Sequence, residues 1–438
     1  MQTIKAEKLK LKYFKKLDLL KSDKLFQSLS VINRKYITII GEKYFLTFQE
    51  LKNITEIVVD FSMWNEPINI KQYISKNIEG SILKIEKEKF INDLNSRWLF
   101  LKNAPTKYKK IIKKEKIQNT KKVVLNDTDS NVIGMCPVSS EKTVCCNLLT
   151  SDAVQGCTLG CSYCSIQTFY NDDKIAVDSK LKEKLDNIKI NPNENYHIGS
   201  GQSSDSLAIG NREGVLDAQC SFAKKHSNII FEFKTKSNNI NYFKRNEIPN
   251  NVFISWSINP QLFIENEEHG TASMEKRLLA AREIANCGIT IGFHFHPMVY
   301  YEGWEKDYKD LVLKIQGMFD PSEIGLISMG TLTYIKPAIK KIRTLGIKSK
   351  ILQLPMEDAV GKVTYPVKTK ISIFKTLYES FANWHENVFF YLCMEESVIW
   401  EGVFGAFYNK NEDFESALFD NVKKKMDFKK ININKGLL

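Results

Sequence analysis

The sequence lacks the features that would place the chain in a membrane or outside the cell. No apolar run approaches the roughly 18 residues that a membrane-spanning helix needs, so we do not expect an integral membrane protein. The N-terminus is basic but has no continuous apolar core and no small-residue cleavage site, which argues against a secretory signal. The nine cysteines are unevenly spaced and do not resemble a secreted disulfide framework. We therefore expect a cytoplasmic protein, in which a tight cysteine cluster indicates a metal or redox site.

An excess of positive over negative charge is also absent from most of the chain. The formal net charge is +12, yet residues 136–438 hold 36 Lys and Arg against 36 Asp and Glu, whereas residues 1–135 hold 27 against 15. The surplus is concentrated within Lys5–Lys24 and Lys107–Lys122. A basic end on a neutral body predicts an anionic partner, with nucleic acid ahead of a membrane surface. The alternative is that these lysines form a solvated helix face.

The chain divides into three predicted regions. Residues 1–135 form a basic region of α or α+β structure, with short strands expected at Tyr36–Ile40 and Ile54–Phe61. The polar, turn-rich segment Val123–Val132 marks its end. Residues 136–350 form the main α/β body, and residues 351–438 form a C-terminal α/β extension.

Short apolar runs alternate with helical stretches in the main body, and this alternation predicts a parallel sheet. A barrel or a doubly wound sheet fits repeated βα units, and both have their sites at the carboxyl ends of the strands. Strands are expected at Asn147–Val154, Tyr196–Gly199, Ile229–Phe233, Val252–Ile258, Ile289–Phe295 and Ile324–Met329. Helices are expected at Glu213–Lys225, Ser273–Asn286, Trp304–Gly317 and Ile335–Leu345.

The strongest motif is GCTLGCSYC, which spaces Cys157, Cys161 and Cys164 as CxxxCxxC directly after the first strand. Three thiolates on one loop can hold three irons of a 4Fe–4S cluster and leave the fourth iron open. A zinc site usually has four ligands in paired CxxC units, and no second pair follows. A redox CxxC pair would leave the third cysteine unexplained.

This spacing and its position resemble the radical S-adenosylmethionine (SAM) superfamily. The resemblance implies a partial (β/α) barrel of six to eight strands, a 4Fe–4S cluster, SAM bound to the open iron, and a flavodoxin- or ferredoxin-like electron donor. It also implies cleavage of SAM to a 5′-deoxyadenosyl radical that abstracts a hydrogen atom from substrate. Tyr163, inside the triplet, is either an aromatic wall for the adenine or core packing.

The stretch Gly270–Leu311 resembles the spore photoproduct lyase family of DNA repair enzymes. The matching elements are GT-x-x-x-EKRL-x-AA, a strand entered by Gly292 and Phe293, and EGWE. Carried over from the family, Lys236 and Ser257 would contact SAM, with Ser204 nearby and His296 at the adenosine. Ordinary structural roles remain open for Lys236, Ser257 and His296: a surface lysine, a strand-end hydroxyl bonded to backbone, and a core histidine.

Two positions depart from the family pattern. Gln202 stands where the family has the cysteine that returns a hydrogen atom to the product radical, and an amide cannot donate a hydrogen atom as a thiol can. Ser165 replaces the tyrosine that follows the third cluster cysteine. Cys145, Cys146, Cys220, Cys287 or Cys393 could supply a thiol instead, but the sequence does not place any of them at the site.

The DNA-binding stretch of the family is best matched by GKVTYPVKTK, and ordinary surface lysines are the alternative interpretation of this stretch. The DNA-contact candidates in it are Lys362, Tyr365, Lys368 and Lys370. The predicted function is a radical SAM lyase that acts on DNA, through pyrimidine-dimer repair or a related nucleic-acid reaction. The alternatives are radical SAM chemistry on a protein, peptide or small molecule, and a non-catalytic iron–sulfur module that binds nucleic acid.

Overall fold

The computed structural model describes residues 15–74, 80–110, 121–127, 131–136, 142–170, 174–359 and 362–434. These residues form two compact units: the described parts of Met1–Lys107 with those of Tyr334–Val363, and the described parts of Tyr108–Thr333 with those of Thr364–Leu438. These boundaries differ from the linear three-part division expected from the sequence. Within the described ranges, no helix is both long enough and apolar enough to cross a bilayer.

The elements are numbered along the chain. The strands are β1 Lys122–Asn126, β2 Ile133–Met135, β3 Leu149–Ser151, β4 Val154–Gln155, β5 Lys174–Asp178, β6 Tyr196–Ser200, β7 Ile229–Thr235, β8 Val252–Ser257, β9 Ile291–Met298, β10 Ile324–Thr331, β11 Thr333–Ile335, β12 Glu357–Ala359, β13 Lys362–Thr364 and β14 Phe389–Leu392. The helices are α1 Lys24–Ser28, α2 Val31–Tyr44, α3 Phe48–Trp64, α4 Ser81–Asn103, α5 Ile166–Phe169, α6 Leu181–Asn187, α7 Val215–Lys225, α8 Asn241–Arg245, α9 Gln261–Glu267, α10 Met274–Asn286, α11 Trp304–Met318, α12 Lys336–Thr344, α13 Val367–Ser380, α14 Ser397–Phe404 and α15 Asn411–Asn434.

The larger unit is built on an eight-stranded sheet in the order β14-β10-β9-β8-β7-β6-β3-β2. The strands of this sheet from β3 to β14 pair in parallel, whereas β2 pairs antiparallel with β3. Helices lie between the successive parallel strands of this sheet, from β3 to β14. The sheet curls into a partial barrel, so the fold class predicted from the sequence is confirmed. All parallel strands present their carboxyl ends at one mouth, where a site is expected.

The smaller unit is helical where strands were expected, so the strand predictions at Tyr36–Ile40 and Ile54–Phe61 were wrong. The first segment lies in α2 and the second in α3. In α3 every residue of the Ile54–Phe61 segment except Glu56 is buried, so this helix is packed around most of its circumference. A capping box between Thr47 and Glu50 fixes where α3 begins.

A buried carboxylate joins α12 to the N-terminal helices inside this unit. Asp60 on α3 accepts hydrogen bonds from the Arg343 guanidinium at 2.8 and 2.9 Å and from the Trp98 indole at 2.9 Å. Glu56 accepts a third bond from Arg343 at 3.1 Å. A bidentate arginine satisfies a buried carboxylate and fixes its orientation. This contact explains why a segment from the second half of the chain packs with the N-terminal helices.

Candidate active site

The cysteine triplet lies on the loop between β4 and α5, with Cys161 buried and Cys157 and Cys164 half-buried. Burial raises the pKa of Cys157 to about 12, and Asp205 and Cys164 act in the same direction. Burial likewise raises the pKa of Cys161 well above its usual value, and the other two thiols contribute. Three mutually close thiols are a donor set that fits a 4Fe–4S cluster. In the part of the chain that the structure describes, no three Cys, His, Asp or Glu side chains surround a common metal position, the triplet included.

The triplet loop is held in place by backbone hydrogen bonds to two neighbouring segments. The Gly156 N–H donates to the Ser203 carbonyl at 3.0 Å, and the Gly270 N–H donates to the Leu159 carbonyl at 2.8 Å. A Cβ atom at Gly270 would lie 2.7 Å from the Leu159 carbonyl oxygen, so a larger residue would push the loop away. Backbone hydrogen bonds to two separate segments therefore fix the position of the loop.

A buried ionic network contacts the same loop through Tyr163. The Tyr163 hydroxyl donates to Glu268 at 2.6 Å, and the Asn259 amide donates to the same oxygen at 3.2 Å. The fully buried Arg277 forms an ion pair with Glu268. Burial acts to raise the pKa of Glu268, but Arg277 and Lys236 outweigh it and lower that pKa. The Tyr163 side chain is thus held between Glu268 and Phe263, and the centroids of the Tyr163 and Phe263 rings lie 5.7 Å apart.

Lys236 brings the predicted SAM contacts next to the triplet. Its ammonium donates to the Ser257 hydroxyl at 2.7 Å and to the His296 carbonyl at 3.4 Å, and Ser257 donates to that carbonyl at 2.8 Å. The same ammonium lies 5.9 Å from the centroid of the Tyr163 ring. Lys236, Ser257, His296 and the triplet loop therefore meet at one barrel mouth.

Asp205 fixes the end of β7 from which Lys236 extends. Its carboxylate accepts from the Thr235 hydroxyl and from the Lys236 N–H, each at 2.7 Å, and from the Leu207 N–H at 3.1 Å. Burial raises the pKa of Asp205, although these hydrogen bonds favour its charged form. Because three donors satisfy this carboxylate, the strand end has little freedom to move.

His296 faces the barrel lumen between two polar groups. Its Nδ1 atom lies 3.3 Å from the Lys234 ammonium, and its Nε2 atom lies 2.9 Å from the Ser328 hydroxyl. Burial, together with Lys234 and the neighbouring His294, lowers the pKa of His296 well below its usual value. A neutral imidazole with Nδ1 as acceptor follows from this pairing.

A second polar layer lies deeper in the lumen, centred on Glu232. His197 and His294 contact the two oxygens of this carboxylate at 2.8 and 2.6 Å, and the Ser255 hydroxyl donates to it as well. Burial acts to raise the pKa of Glu232, but His294 and His197 lower it well below the usual value. Burial lowers the pKa of His294 to about 4. The carboxylate is therefore charged, and its charge is met by hydrogen bonds.

Comparison with known proteins identifies the family of this chain. The pattern that defines the spore photoproduct lyase family matches residues 150–378. This chain belongs to the spore photoproduct lyase family. The spore photoproduct lyase of Clostridium acetobutylicum is 27% identical over 223 residues, which cover 48% of this chain and 63% of that protein. The Bacillus subtilis enzyme is 26% identical over 165 residues, or 36% of this chain and 48% of that protein.

Solved spore photoproduct lyases share the fold of this family member. One, complexed with a dinucleoside spore photoproduct, matches with a TM-score of 0.54 at 20% identity and covers 62% of this chain and 82% of that one. A mutant with bound AdoMet and the same dinucleoside matches with a TM-score of 0.52 at 21% identity, with the same coverage. At this identity the likeness supports the fold alone.

The two residues that depart from the family pattern, Gln202 and Ser165, lie on the loop after β6 and at the start of α5. Gln202 and Ser204 are half-buried, and neither side chain hydrogen-bonds to any residue that the structure describes. It is the neighbour Ser203 whose hydroxyl is bonded, to Asp152 at 2.8 Å. Ser165 is exposed at the start of α5. The roles of Gln202 and Ser204 stay predictions.

Two of the four DNA-contact candidates are placed where they cannot reach a nucleic acid. Tyr365 is only 2% exposed, and its hydroxyl accepts from the Tyr300 N–H at 3.1 Å. Lys370 is buried in an ion pair with Glu395 at 2.8 Å. Both assignments are corrected, since these side chains support the fold.

The DNA-contact roles of the other two candidates, Lys362 and Lys368, stay predictions. Lys368 is exposed and Lys362 is half-buried, so either could meet a phosphate. Residues 5–14 of the first basic run and residues 111–120 of the second lie outside the described residues.

Sequence reasoning missed three residues that organise the site. Lys234 shares a face of β7 with Glu232 and Lys236, and the alternation in FEFKTK carries that signal. Glu268 and Arg277 lie in or beside the family-like stretch, but their pairing depends on the way α9 and α10 fold back onto the loop. A glutamate and an arginine nine residues apart carry no pairing signal of their own.

Proposed function

We propose that this chain is a radical SAM lyase of the spore photoproduct lyase type that acts on a damaged or flipped-out base in a nucleic acid. The observation that carries the proposal is the convergence of Lys236 and Ser257 with the cysteine triplet at one barrel mouth. These residues are far apart in sequence, and their hydrogen bonds bring SAM-type polar contacts beside a cluster-type loop.

The residues at the barrel mouth would have separate roles in binding the cofactors. Cys157, Cys161 and Cys164 would hold a 4Fe–4S cluster, which together with bound SAM would supply a 5′-deoxyadenosyl radical. Lys236 and Ser257 would present an ammonium and a hydroxyl to the polar groups of SAM. The Glu268 network would hold the triplet loop in a fixed position relative to these two side chains. An electron donor of the flavodoxin or ferredoxin class would reduce the cluster.

The substrate class rests on relatives and on charge. Solved relatives bind a dinucleoside spore photoproduct, and we extend that ligand class to this chain. The chain spans 63% of the length of the Clostridium relative, so the activity is our proposal and is not inherited from it. The surplus of basic residues before residue 136 would hold phosphates. A base must leave the stack to reach the adenosyl carbon.

The reaction is tested by incubating the reconstituted, reduced chain with SAM and measuring 5′-deoxyadenosine. We expect Cys161→Ala to abolish the product and the iron absorbance. We expect Lys236→Met to lower product formation about 10–100-fold at limiting SAM, the worth of a charge-assisted hydrogen bond. Lys224→Met, an exposed lysine on α7, is the matched control and should retain activity. An intact cluster that releases no 5′-deoxyadenosine would overturn the enzyme assignment.

Substrate choice is tested with DNA that contains dithymine photoproducts, followed by product analysis. Restored thymine supports the lyase proposal. A turnover-competent enzyme that leaves every tested DNA and RNA lesion intact, but consumes SAM with a peptide or a small molecule, would refute it.

The anionic partner is tested through the salt dependence of DNA affinity. Exchanging Lys107, Lys109 and Lys110 for Gln should reduce the slope of log K against log salt by about 3 if each lysine contacts a phosphate. Three exposed lysines of the neutral body are the control set: Lys182, Lys224 and Lys375. Equal slopes for both sets would show that the basic segment does not bind the backbone.

A further inference from the structure

An ammonium group lies inside the barrel, one layer below the proposed SAM contacts. Side chains along a strand alternate between its two faces, so Glu232, Lys234 and Lys236 share one face, with successive members roughly 7 Å apart. His197 on β6 and His294 on β9 both contact Glu232. Because β9 is not a neighbour of β7 in the sheet, the contact with His294 crosses the concave side. The face that carries Lys234 is therefore the lumen face.

The histidine that holds the Lys234 ammonium is itself fixed in orientation. The Nζ atom of Lys234 lies 3.3 Å from the Nδ1 atom of His296, and the Nε2 atom of His296 lies 2.9 Å from the Ser328 hydroxyl. Gly330 packs against the same ring, since a Cβ atom there would lie 3.1 Å from Nε2. Because burial and Lys234 keep the pKa of His296 well below its usual value, the imidazole is a neutral acceptor and brings no negative charge to Lys234.

The positive charge of Lys234 is not met by an acid. Among the described residues, its ammonium contacts His296 and forms no ion pair with a carboxylate. The oxygens of Glu232 are taken by two histidines and a serine. Burial lowers the pKa of Lys234, as expected for a cation without a directly bonded counter-charge. An ammonium has three N–H donors, so this half-buried group has donors left for an acceptor that arrives with a ligand.

We propose that Lys234 recognises the substrate by donating a charge-assisted hydrogen bond to a carbonyl oxygen of an extruded pyrimidine base. This inference rests on the proposed function and names a residue that selects the substrate of that site. Pyrimidine bases carry such acceptors, for example O4 of thymine. A carbonyl is favoured over a phosphate, because the Glu232 carboxylate on the same face would repel a second negative charge in this half-buried space. A neutral carbonyl gains the charge-assisted bond without that repulsion.

The proposed contact would also fix the position of the base relative to SAM. Lys234 and Lys236 are two residues apart, so a base held by the first would lie beside the cofactor that the second would bind. Asp205 holds this end of the strand, because its carboxylate accepts from the Thr235 hydroxyl and from the Lys236 N–H, each at 2.7 Å. Since both lysines extend from one short, fixed piece of backbone, the base and the adenosyl carbon would keep a constant relative position.

The contact is tested with the dinucleoside spore photoproduct, a ligand that solved relatives bind. A dinucleoside has no phosphate, so its affinity reports on base and sugar contacts alone. Full-length, cluster-reconstituted chain with SAM but without reductant is titrated by calorimetry. We expect Lys234→Met to raise the Kd of the dinucleoside about 10–100-fold, the effect of losing a hydrogen bond to a charged group. The matched control is Lys184→Met on α6, which removes a half-buried lysine bonded to Asp178 at 2.6 Å and should leave this Kd unchanged.

The affinity for SAM, measured without the dinucleoside, separates a substrate contact from damage to the fold. Lys236→Met should weaken SAM binding, whereas Lys234→Met should keep the SAM affinity and the iron content of the unchanged chain. An equal loss of SAM and dinucleoside affinity in Lys234→Met would overturn the inference, because it would assign Lys234 to the cofactor site. Weaker binding of inorganic phosphate, with unchanged dinucleoside affinity, would overturn it in favour of a phosphate contact.

These outcomes can be told apart from failure of the proposed function. A chain that binds the dinucleoside through Lys234 but releases no 5′-deoxyadenosine would support the inference and contradict the proposed reaction. A chain that cleaves SAM but binds no dinucleoside would contradict the proposed substrate class and this inference together. A chain whose dinucleoside affinity is unaffected by Lys234→Met would contradict this inference alone.

Discussion

Removing the charge of Glu268 is the sharpest test of how the triplet loop is supported. Glu268 has no exposed surface and pairs with Arg277, which is also fully buried. Glu268→Gln preserves the shape and an acceptor for the Tyr163 hydroxyl but leaves the guanidinium without a counter-charge. Breaking one side of a buried ion pair costs about 3–5 kcal/mol. A change of this size lowers the Tm of a domain of a few hundred residues by at least about 6 °C.

The matched control is Glu283→Gln on α10, which breaks an ion pair with Lys244. Both side chains of that pair are about half exposed, so the loss should stay below about 1 kcal/mol. Thermal unfolding by calorimetry gives both shifts, and iron content after reconstitution reports on the loop. We expect Glu268→Gln alone to bind less iron, because Tyr163 lies inside the triplet. If the two variants unfold at the same temperature, the buried network does not support the loop.

Two further predictions concern the lumen. Gly330→Ala would place a methyl group 3.1 Å from the Nε2 atom of His296, so we expect this variant to bind SAM more weakly in calorimetry. In the control Gly317→Ala the added methyl group meets no atom within 4 Å, and this variant should bind SAM normally. Equal affinities would show that His296 does not need this space. The unfolded chain protonates His294 near its ordinary pKa of 6.5, but the folded chain does so only at about 4. Stability should therefore fall as the pH drops from 6.5 to 4, by up to about 1.4 kcal/mol per unit, and further below about 4.5 as the unfolded chain protonates Glu232. Urea unfolding at about pH 7 and about pH 5 measures this loss, and equal stabilities would contradict it.

The barrel could be predicted from sequence because its signals are local. Except for the strand predicted at Asn147–Val154, the predicted strands and helices of the main body recur with ends shifted by a few residues, since apolar runs and amphipathic stretches set them directly. That strand is divided between β3 and β4, which belong to different sheets. The Ile54–Phe61 segment failed for the opposite reason. Its β-branched residues favour a strand by composition, while the capping box of Thr47 and Glu50, which is visible in the sequence, marks the start of a helix.

Only the part of the candidate site that lies in one contiguous motif could be predicted from the sequence. The triplet is contiguous, so its spacing alone indicates the cofactor. The burial of Tyr365 and Lys370 could not be foreseen, because it depends on Tyr300 and Glu395.

The lumen itself restricts how a substrate enters. Glu232, His197 and His294 fill the deeper layer and are almost fully buried, so that layer is closed. Lys234 and His296, one step nearer the carboxyl ends, are half-buried and accessible. The substrate of the proposed reaction would therefore enter from the mouth that carries the triplet and reach the level of these two side chains. A base inside a stacked duplex cannot reach a closed site without leaving the stack, so a nucleic-acid substrate would have to present a flipped nucleotide there.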